Sequence, residues 1–308
     1  MTSSSVPDGA ELAVSHPKKI LFTVDVEDWF QVENFKGTIP FSDWPGCELR
    51  VERNTNLLLD LLDSATCKCI CERREVGKPR ATFFVLGWVA ERLPHLVKEI
   101  QGRGHEVASH GYCHTLCRSQ CRADLVEDLC RSKALLEDIL GSAVHGYRAP
   151  SFSICNDVLK RIQDCGYRYD SSFNSFALNK RYGQVSLPVD EKNGLAYLLD
   201  RDFYEIPISN LQMFGRQFPL GGGGYFRLIP SQIFHRGIRS ILEKDNGYLF
   251  YIHPWELDPS QPRVEKAPAH FKFRHYLNLN RTQDKLQSFF REFQQIEFAT
   301  CSDYLGIS

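Results

Sequence analysis

Apolar runs and amphipathic stretches alternate along the chain. Short apolar runs at 19–25, 81–86 (ATFFVL), 105–109 (HEVAS), 145–147, 203–207 (FYEIP) and 247–252 (GYLFYI) predict strands. Helical periodicity fills the intervals. In ERNTNLLLDLLD it places Leu57, Leu58, Leu61 and Leu62 on one face. ERLPHLVKEIQGRG predicts a helix that stops at Gly102 and Gly104. RADLVEDLCRSKALLEDILG predicts one that stops at Gly141, and NDVLKRIQDCG one that opens on an Asn cap and stops at Gly166. PSQIFHRGIRSILEK predicts another, with Pro230 near its start. Strand and helix in alternation is the pattern of an α/β domain with a mainly parallel sheet. The first strand is apolar almost throughout, as a sheet covered on both faces requires. In such folds the residues that act gather where strands end at their carboxyl side.

That first strand runs into acid. ILFTVDVEDWF, residues 20–30, carries Asp25, Glu27 and Asp28 within four positions. A buried, unpaired carboxylate costs several kcal/mol or shifts its pKa until it neutralises, so a cation, a set of donors or a solvated cleft must meet them. SHGYCH follows another predicted strand and supplies His110 and His114. If it turns helical, both imidazoles share a face. Two imidazoles and one carboxylate leave open positions for water around an ion, the arrangement of a catalytic zinc site. One carboxylate is then a ligand, and a second stands near it as a base.

Other strand ends add to the set. GYRAPSF supplies Arg148, which can hold a carboxylate charged and fix its direction, or make a structural ion pair. RYDSSF supplies Asp170, which can pair with Arg148 or cap a turn. YIHPWE supplies His253 and Trp255. The His is set rigidly by Pro254 and suits a general acid, though a core histidine is the plain alternative. Glu256 and Asp258 can orient it or sit in solvent. His105 alternates with apolar neighbours and reads as structural. His235 and His275 have no identifiable partner.

Composition narrows the class. The chain has 308 residues, 43% of them hydrophobic, enough for one large domain or two small ones. Lys and Arg total 37 against 38 Asp and Glu, a formal net charge of -1, so no basic excess points to nucleic acid. The first eighteen residues, a polar tail, lack the order of a signal peptide, and no apolar run reaches the ~18–20 residues of a membrane span. The expected location is cytoplasmic. With 11 cysteines and no secretory signal, a disulfide framework is not expected. CKCIC (Cys67, Cys69, Cys71) would alternate faces in a strand and chelate poorly. It and CHTLCRSQC (Cys113, Cys117, Cys121) read as reduced thiols. Residues 64–80 read as a surface insertion and 254–280 as a long loop. PLGGGGYF, 219–226, is a glycine loop without the Lys-Ser/Thr of a phosphate cradle.

Five stretches, TVDVEDW, SHGYCH, YRAPSF, RYDSSF and YIHPWE, occur in the order found in the polysaccharide deacetylases, the NodB-like carbohydrate esterase group, and the chain resembles that family. The resemblance covers roughly residues 19–256. Residues 257–308 are similar to the C-terminal extension of a bacterial subgroup found with exosortase-linked exopolysaccharide loci. It implies an α/β fold, a distorted (β/α) barrel in a single domain with that extension packed on it, and hydrolysis of N-acetyl groups on an amino-sugar glycan. It implies a divalent metal, zinc first, on His110, His114 and an acidic residue, with Asp25 as base, Arg148 as its tether and His253 as acid. The first motif departs from the commoner pair of adjacent Asp residues, so the third ligand is Glu27 or Asp28. Strand alternation puts Asp25 and Glu27 on one side. A strand ending at Val26 frees Asp28 to turn back, which slightly favours Asp28. Ser151 stands where an aromatic is usual, so its backbone N–H is the expected oxyanion donor. Tyr251 replaces a usual Leu beside the acetyl pocket. Trp29, Trp255 and Tyr225 are candidates to line a sugar groove. A similar first motif in an allantoinase-like branch leaves open an amidase acting on a cyclic ureide. A non-catalytic glycan-binding fold is the other alternative.

Overall fold

The computed structural model describes residues 17–68, 75–176 and 182–307. The strands are β1 (Lys19–Val26), β2 (Cys67–Lys68), β3 (Glu75–Gly77), β4 (Ala81–Val85), β5 (Glu106–Ser109), β6 (Gly146–Tyr147), β7 (Tyr169–Asp170), β8 (Lys192–Asn193), β9 (Ala196–Asp200), β10 (Phe203–Glu205), β11 (Asn210–Met213), β12 (Arg216–Pro219), β13 (Gly247–Ile252) and β14 (Glu297–Phe298). One sheet runs β13-β1-β4-β5-β6-β7-β10, parallel at every step, and continues antiparallel through β9 and β8. Among the described residues no strand pair closes the ring. The gap beyond β13 is spanned by the Leu249 amide donating to Ser209 Oγ at 2.9 Å and by a bridge between Gly222 and Tyr251.

Alternation along β1 explains its composition. Ile20, Phe22, Val24 and Val26 face the helices, while Leu21 joins Phe84, Ala108, Tyr169, Ile206 and Leu249 on the concave face. Thr23 shares that inner face, and its hydroxyl donates to Phe250 O. Asp25 follows the same alternation, and Glu27 lies one residue past the strand, its amide donating to Asp25 O at 3.0 Å.

The helices are α1 (Val51–Ser64), α2 (Gly87–Arg92), α3 (Pro94–Gly102), α4 (Arg122–Leu140), α5 (Asn156–Asp164), α6 (Gly223–Leu228), α7 (Ser231–Asp245), α8 (Ala269–Tyr276), α9 (Thr282–Glu292) and α10 (Cys301–Leu305). Gly141 ends α4 at φ +66°, the left-handed cap its position predicts. The face of α1 differs slightly from expectation: Leu59 is buried and Leu57 only partly so. In α5 the cap position belongs to Cys155, and Asn156 is the first helical residue.

Residues 254–280 are not a loop throughout. They contain a 3₁₀ turn, Pro254–Leu257, and α8. The C-terminal segment is built into the sheet: β14 pairs with β1 at Lys19 and Ile20, and the Phe290 ring packs tilted against Phe22 at 5.2 Å. Phe226, Phe234, Phe250, Phe289 and Phe298 extend the same aromatic cluster. Each such ring removed from water contributes about 1.5–3 kcal/mol. Cys69 and Cys71 lie outside the described residues, as do residues 1–16 of the tail.

Candidate active site

The carboxyl ends of β1, β5, β6 and β13 converge on one pocket, lined by Asp25, Glu27, His110, His114, Ser151 and His253 among others. Each side chain is aimed by a different local device. Arg148, just after β6, is wholly buried and fixes Asp25, its Nη1 lying 2.7 Å from Asp25 Oδ1. Its other donors go to Thr23 Oγ1, Ser171 O and Ser171 Oγ, and Phe84 covers its face at 4.0 Å. A buried guanidinium with its fork filled in this way is pre-organised to hold one carboxylate in one direction.

The two histidines meet by a turn. The segment after β5 is not helical: Gly111 has φ +73° and His114 φ +54°, and the two rings lie 5.5 Å apart. Asp128 on α4 holds the turn by accepting from the Tyr112 amide. A Cβ on Gly111 would sit 2.8 Å from Asp128 Oδ2, so the position needs glycine for space and for backbone angle. His110 Nδ1 donates to Arg148 O at 2.8 Å, which leaves Nε2 as a lone pair turned to the pocket.

Glu27 completes the group. Ligand atoms of Glu27, His110 and His114 lie within 4.8 Å of one another. Glu27 Oε2 is buried with no hydrogen-bond partner, and His114 Nε2 stands 3.4 Å from it. Burial pushes the Glu27 carboxyl up, but His114 and His253 outweigh it and hold it at about 2. Burial lowers His110 and takes His114 down to about 4. An ionised carboxylate with one buried oxygen left without a partner, beside two neutral imidazoles, is a donor set that fits a divalent cation.

Asp28 is used elsewhere, which corrects the slight preference for it. Its Oδ2 accepts from the Arg50 and Val51 amides at 2.6 and 2.8 Å, and its Oδ1 from the Trp29 amide. It caps the first turn of α1 from outside the helix. Burial raises its pKa to about 6 against these donors.

His253 closes the opposite side. Its Nδ1 is 2.8 Å from Glu256 Oε1, its Nε2 3.0 Å from Glu27 Oε1 and 3.9 Å from Asp25 Oδ2. Burial disfavours the imidazolium, but Glu27 and Glu256 outweigh it and raise His253 to about 10. Trp255 stacks on this ring at 5.1 Å.

Asp170 does not join Arg148 in an ion pair. Its carboxyl accepts from the Ser172 amide and hydroxyl and faces Glu205. Trp29 packs under Phe30 and donates to Glu48 O, away from the pocket. Tyr225 stands edge-on to Phe176 and is not on the lining. Ser151 is on the lining, in a left-handed turn at φ +51°, whose own bonds use the amides of Phe152 and Ser153. Tyr251 lies in the wall beside Phe152, and a Cβ on Gly222 would meet its hydroxyl at 2.5 Å. The glycine loop therefore belongs to the cleft. His275 has partners after all: its Nε2 meets Gln261 Oε1, and its ring stacks on Trp255 at 4.1 Å. Tyr182, Arg227 and Asp128 are additions that no local sequence signal marked. Cys113, Cys117 and Cys121 are free, and Glu27, His110 and His114 form the one metal-capable group among the described residues.

Carboxylates, imidazoles and a buried guanidinium thus gather at the carboxyl edge of a parallel α/β sheet, the edge where such folds place their sites. Residues 74–169 match the polysaccharide deacetylase family model. Residues 171–306 match a second family model, a domain of unknown function, DUF3473. His110, His114 and Arg148 lie in the first match and His253 in the second, with Asp25 and Glu27 ahead of both. The chain is 28% identical over 154 residues to a peptidoglycan deacetylase of Helicobacter pylori, covering 43% of this chain and 53% of that one. It is 30% identical over 111 residues to a peptidoglycan deacetylase-like protein of Gibberella zeae, 36% of this chain and 33% of that one. It thus spans between about a third and about half the length of these relatives. In fold it is similar to a Mycobacterium smegmatis protein described as a polysaccharide deacetylase, with TM-score 0.56, 19% identity and coverage of 98% and 94%. It is similar also to Puue allantoinase, with TM-score 0.54, 12% identity and coverage of 98% and 96%. Among the described residues no helix is long and apolar enough to cross a membrane.

Proposed function

We propose that this chain removes N-acetyl groups from an amino-sugar glycan, with a divalent cation held by Glu27, His110 and His114. Zinc is the first candidate, because an open site with two imidazoles and a carboxylate suits it. The observation that carries the reading is Glu27 Oε2, buried and without a hydrogen-bond partner, beside two imidazoles that burial keeps neutral. When bound, the cation would supply Lewis acidity and lower the pKa of a water.

The protein's own groups supply the proton transfers. Asp25, fixed at Oδ1 by Arg148, presents Oδ2 to the pocket and takes a proton from the attacking water. His253 carries the Nδ1 proton toward Glu256, so a proton on Nε2 is the one it gives to the leaving amine. Ser151 lies on the same lining, and its amide is the candidate donor to the oxyanion. Phe152, Tyr182 and Tyr251 form an aromatic wall beside it, of a size and polarity that suits a methyl group.

A substrate panel tests this reading. N-acetylglucosamine oligomers should yield acetate and free amine, while acetyl esters and cyclic ureides are turned over slowly or not at all. Ureide opening without acetate release would move the chain to an allantoinase-like amidase. Binding of the oligomers without any product would make it a glycan-binding fold.

A further inference from the structure

His253 is held from behind by the C-terminal part of the chain. Glu256 Oε1 takes its Nδ1, and Glu256 Oε2 lies 2.7 Å from Arg227 Nε. Burial opposes ionisation of Glu256, yet Arg227 and His253 outweigh it and keep the carboxyl below its ordinary range. An ionised carboxylate only accepts, so Nδ1 must carry the hydrogen and Nε2 faces the pocket.

Arg227 reaches further. Its remaining donors go to the carbonyls of Arg274, His275 and Leu277. These are unpaired carbonyls at the end of α8, where a cation is favoured. His275 on the same turn stacks on Trp255, which stacks on His253. Gly223 leaves the space Glu256 needs: a Cβ there would lie 2.2 Å from Glu256 Oε1. The glycine loop, Arg227 and α8 thus converge on one imidazole.

We propose that Arg227 and Glu256 are positioning residues that couple α8 to His253 and fix its Nδ1–H tautomer for proton delivery. The inference rests on the deacetylase reading for its kinetic consequence, but the tautomer can be read without turnover. Neither residue is in the metal-capable group, so metal content should not follow their loss.

The test uses the full chain, zinc-loaded, as Glu256→Gln and Arg227→Met. A Gln amide offers one acceptor oxygen where the carboxylate uses two, so His253 or Arg227 loses its partner. Each variant should lower kcat on N-acetylglucosamine oligomers by about 10–100-fold, the usual cost of losing an outer partner of a site residue. KM should change far less than kcat, because the loss acts through His253 even though both residues line the pocket. The double variant should cost no more than the worse single one. The ¹⁵N-resolved imidazole Nδ1–H signal of His253 should be present in wild type and absent or shifted in both variants, with one zinc retained per chain. If Arg227→Met does not fold, Glu256→Gln and Glu256→Asp carry the test, and Asp should restore part of kcat. Wild-type kcat with an unchanged imidazole signal overturns the proposal. So does a kcat loss that merely tracks lost zinc or lost folded protein. A wild type that releases no acetate, with the signal still lost in Glu256→Gln, would sink the deacetylase reading and leave the positioning role standing.

Discussion

Arg148 Nη1 lies 2.7 Å from Asp25 Oδ1, and both side chains are out of solvent. The pair is costly to bury, and the cost is met because Thr23 and Ser171 take the remaining donors. Removing one partner leaves the other charged and buried. Arg148→Met should therefore destabilise the protein by about 3–5 kcal/mol, measured by denaturant unfolding.

Asp25→Asn keeps the shape and the acceptor toward Arg148 but cannot take a proton. Turnover should fall by at least about 100-fold while zinc stays bound at wild-type stoichiometry. Retained turnover would remove Asp25 from the role of base.

Glu27 and Asp28 should separate cleanly. Glu27→Gln should lose most of its zinc affinity, and with it the ligand-linked rise in melting temperature. Asp28→Asn should keep zinc and lose about 0.5–2 kcal/mol of stability through the α1 cap. Elemental analysis with thermal unfolding reads both. Zinc lost in Asp28→Asn but not in Glu27→Gln would reverse the assignment.

Asp170 and Glu205 are buried carboxyls that face each other as cross-strand partners on β7 and β10. Burial raises Asp170 to about 6 and Glu205 well above its ordinary value. A carboxyl raised on folding contributes stability fully present below its unfolded pKa and lost as pH rises through the folded one. The Asp170 contribution should fade between about pH 4 and pH 6, and the Glu205 contribution at higher pH. Glu205→Gln removes a carboxyl whose charged form burial and Asp170 disfavour. It should be more stable than wild type at pH 8, with a flatter stability–pH curve. Equal slopes in the two proteins would show that the pair does not titrate as described.

The parts of this site that local pattern could reveal are the ones it did. An apolar strand that ends in carboxylates, and histidines or an arginine directly after other strands, stand out because they oppose the burial around them. Period-two alternation placed Asp25 and Glu27 together, and both do line one pocket, although β1 ends at Val26 and Glu27 stands in the turn after it. What failed was geometry set by distant chain. Asp28 could be freed from ligation only by knowing that α1 begins beside it. His110 and His114 were expected on a helix face, yet a glycine turn braced by Asp128 brings them together. Arg227 meets Glu256 across 29 positions, and His275 meets Trp255 from a helix read as loop. The two-residue strand β7 carries too little pattern to read alone. It exists because β6 and β10 offer edges to pair with.

The most direct test of the account is a zinc titration of acetate release. The metal-stripped chain is given zinc in fractional equivalents, and acetate from N-acetylglucosamine oligomers is measured at each step. Release should be nil without metal and rise linearly to a plateau at one zinc per chain, with no rise at any step in Glu27→Gln. Full release from the stripped protein, or an equal rise in Glu27→Gln, would contradict the zinc-dependent reading.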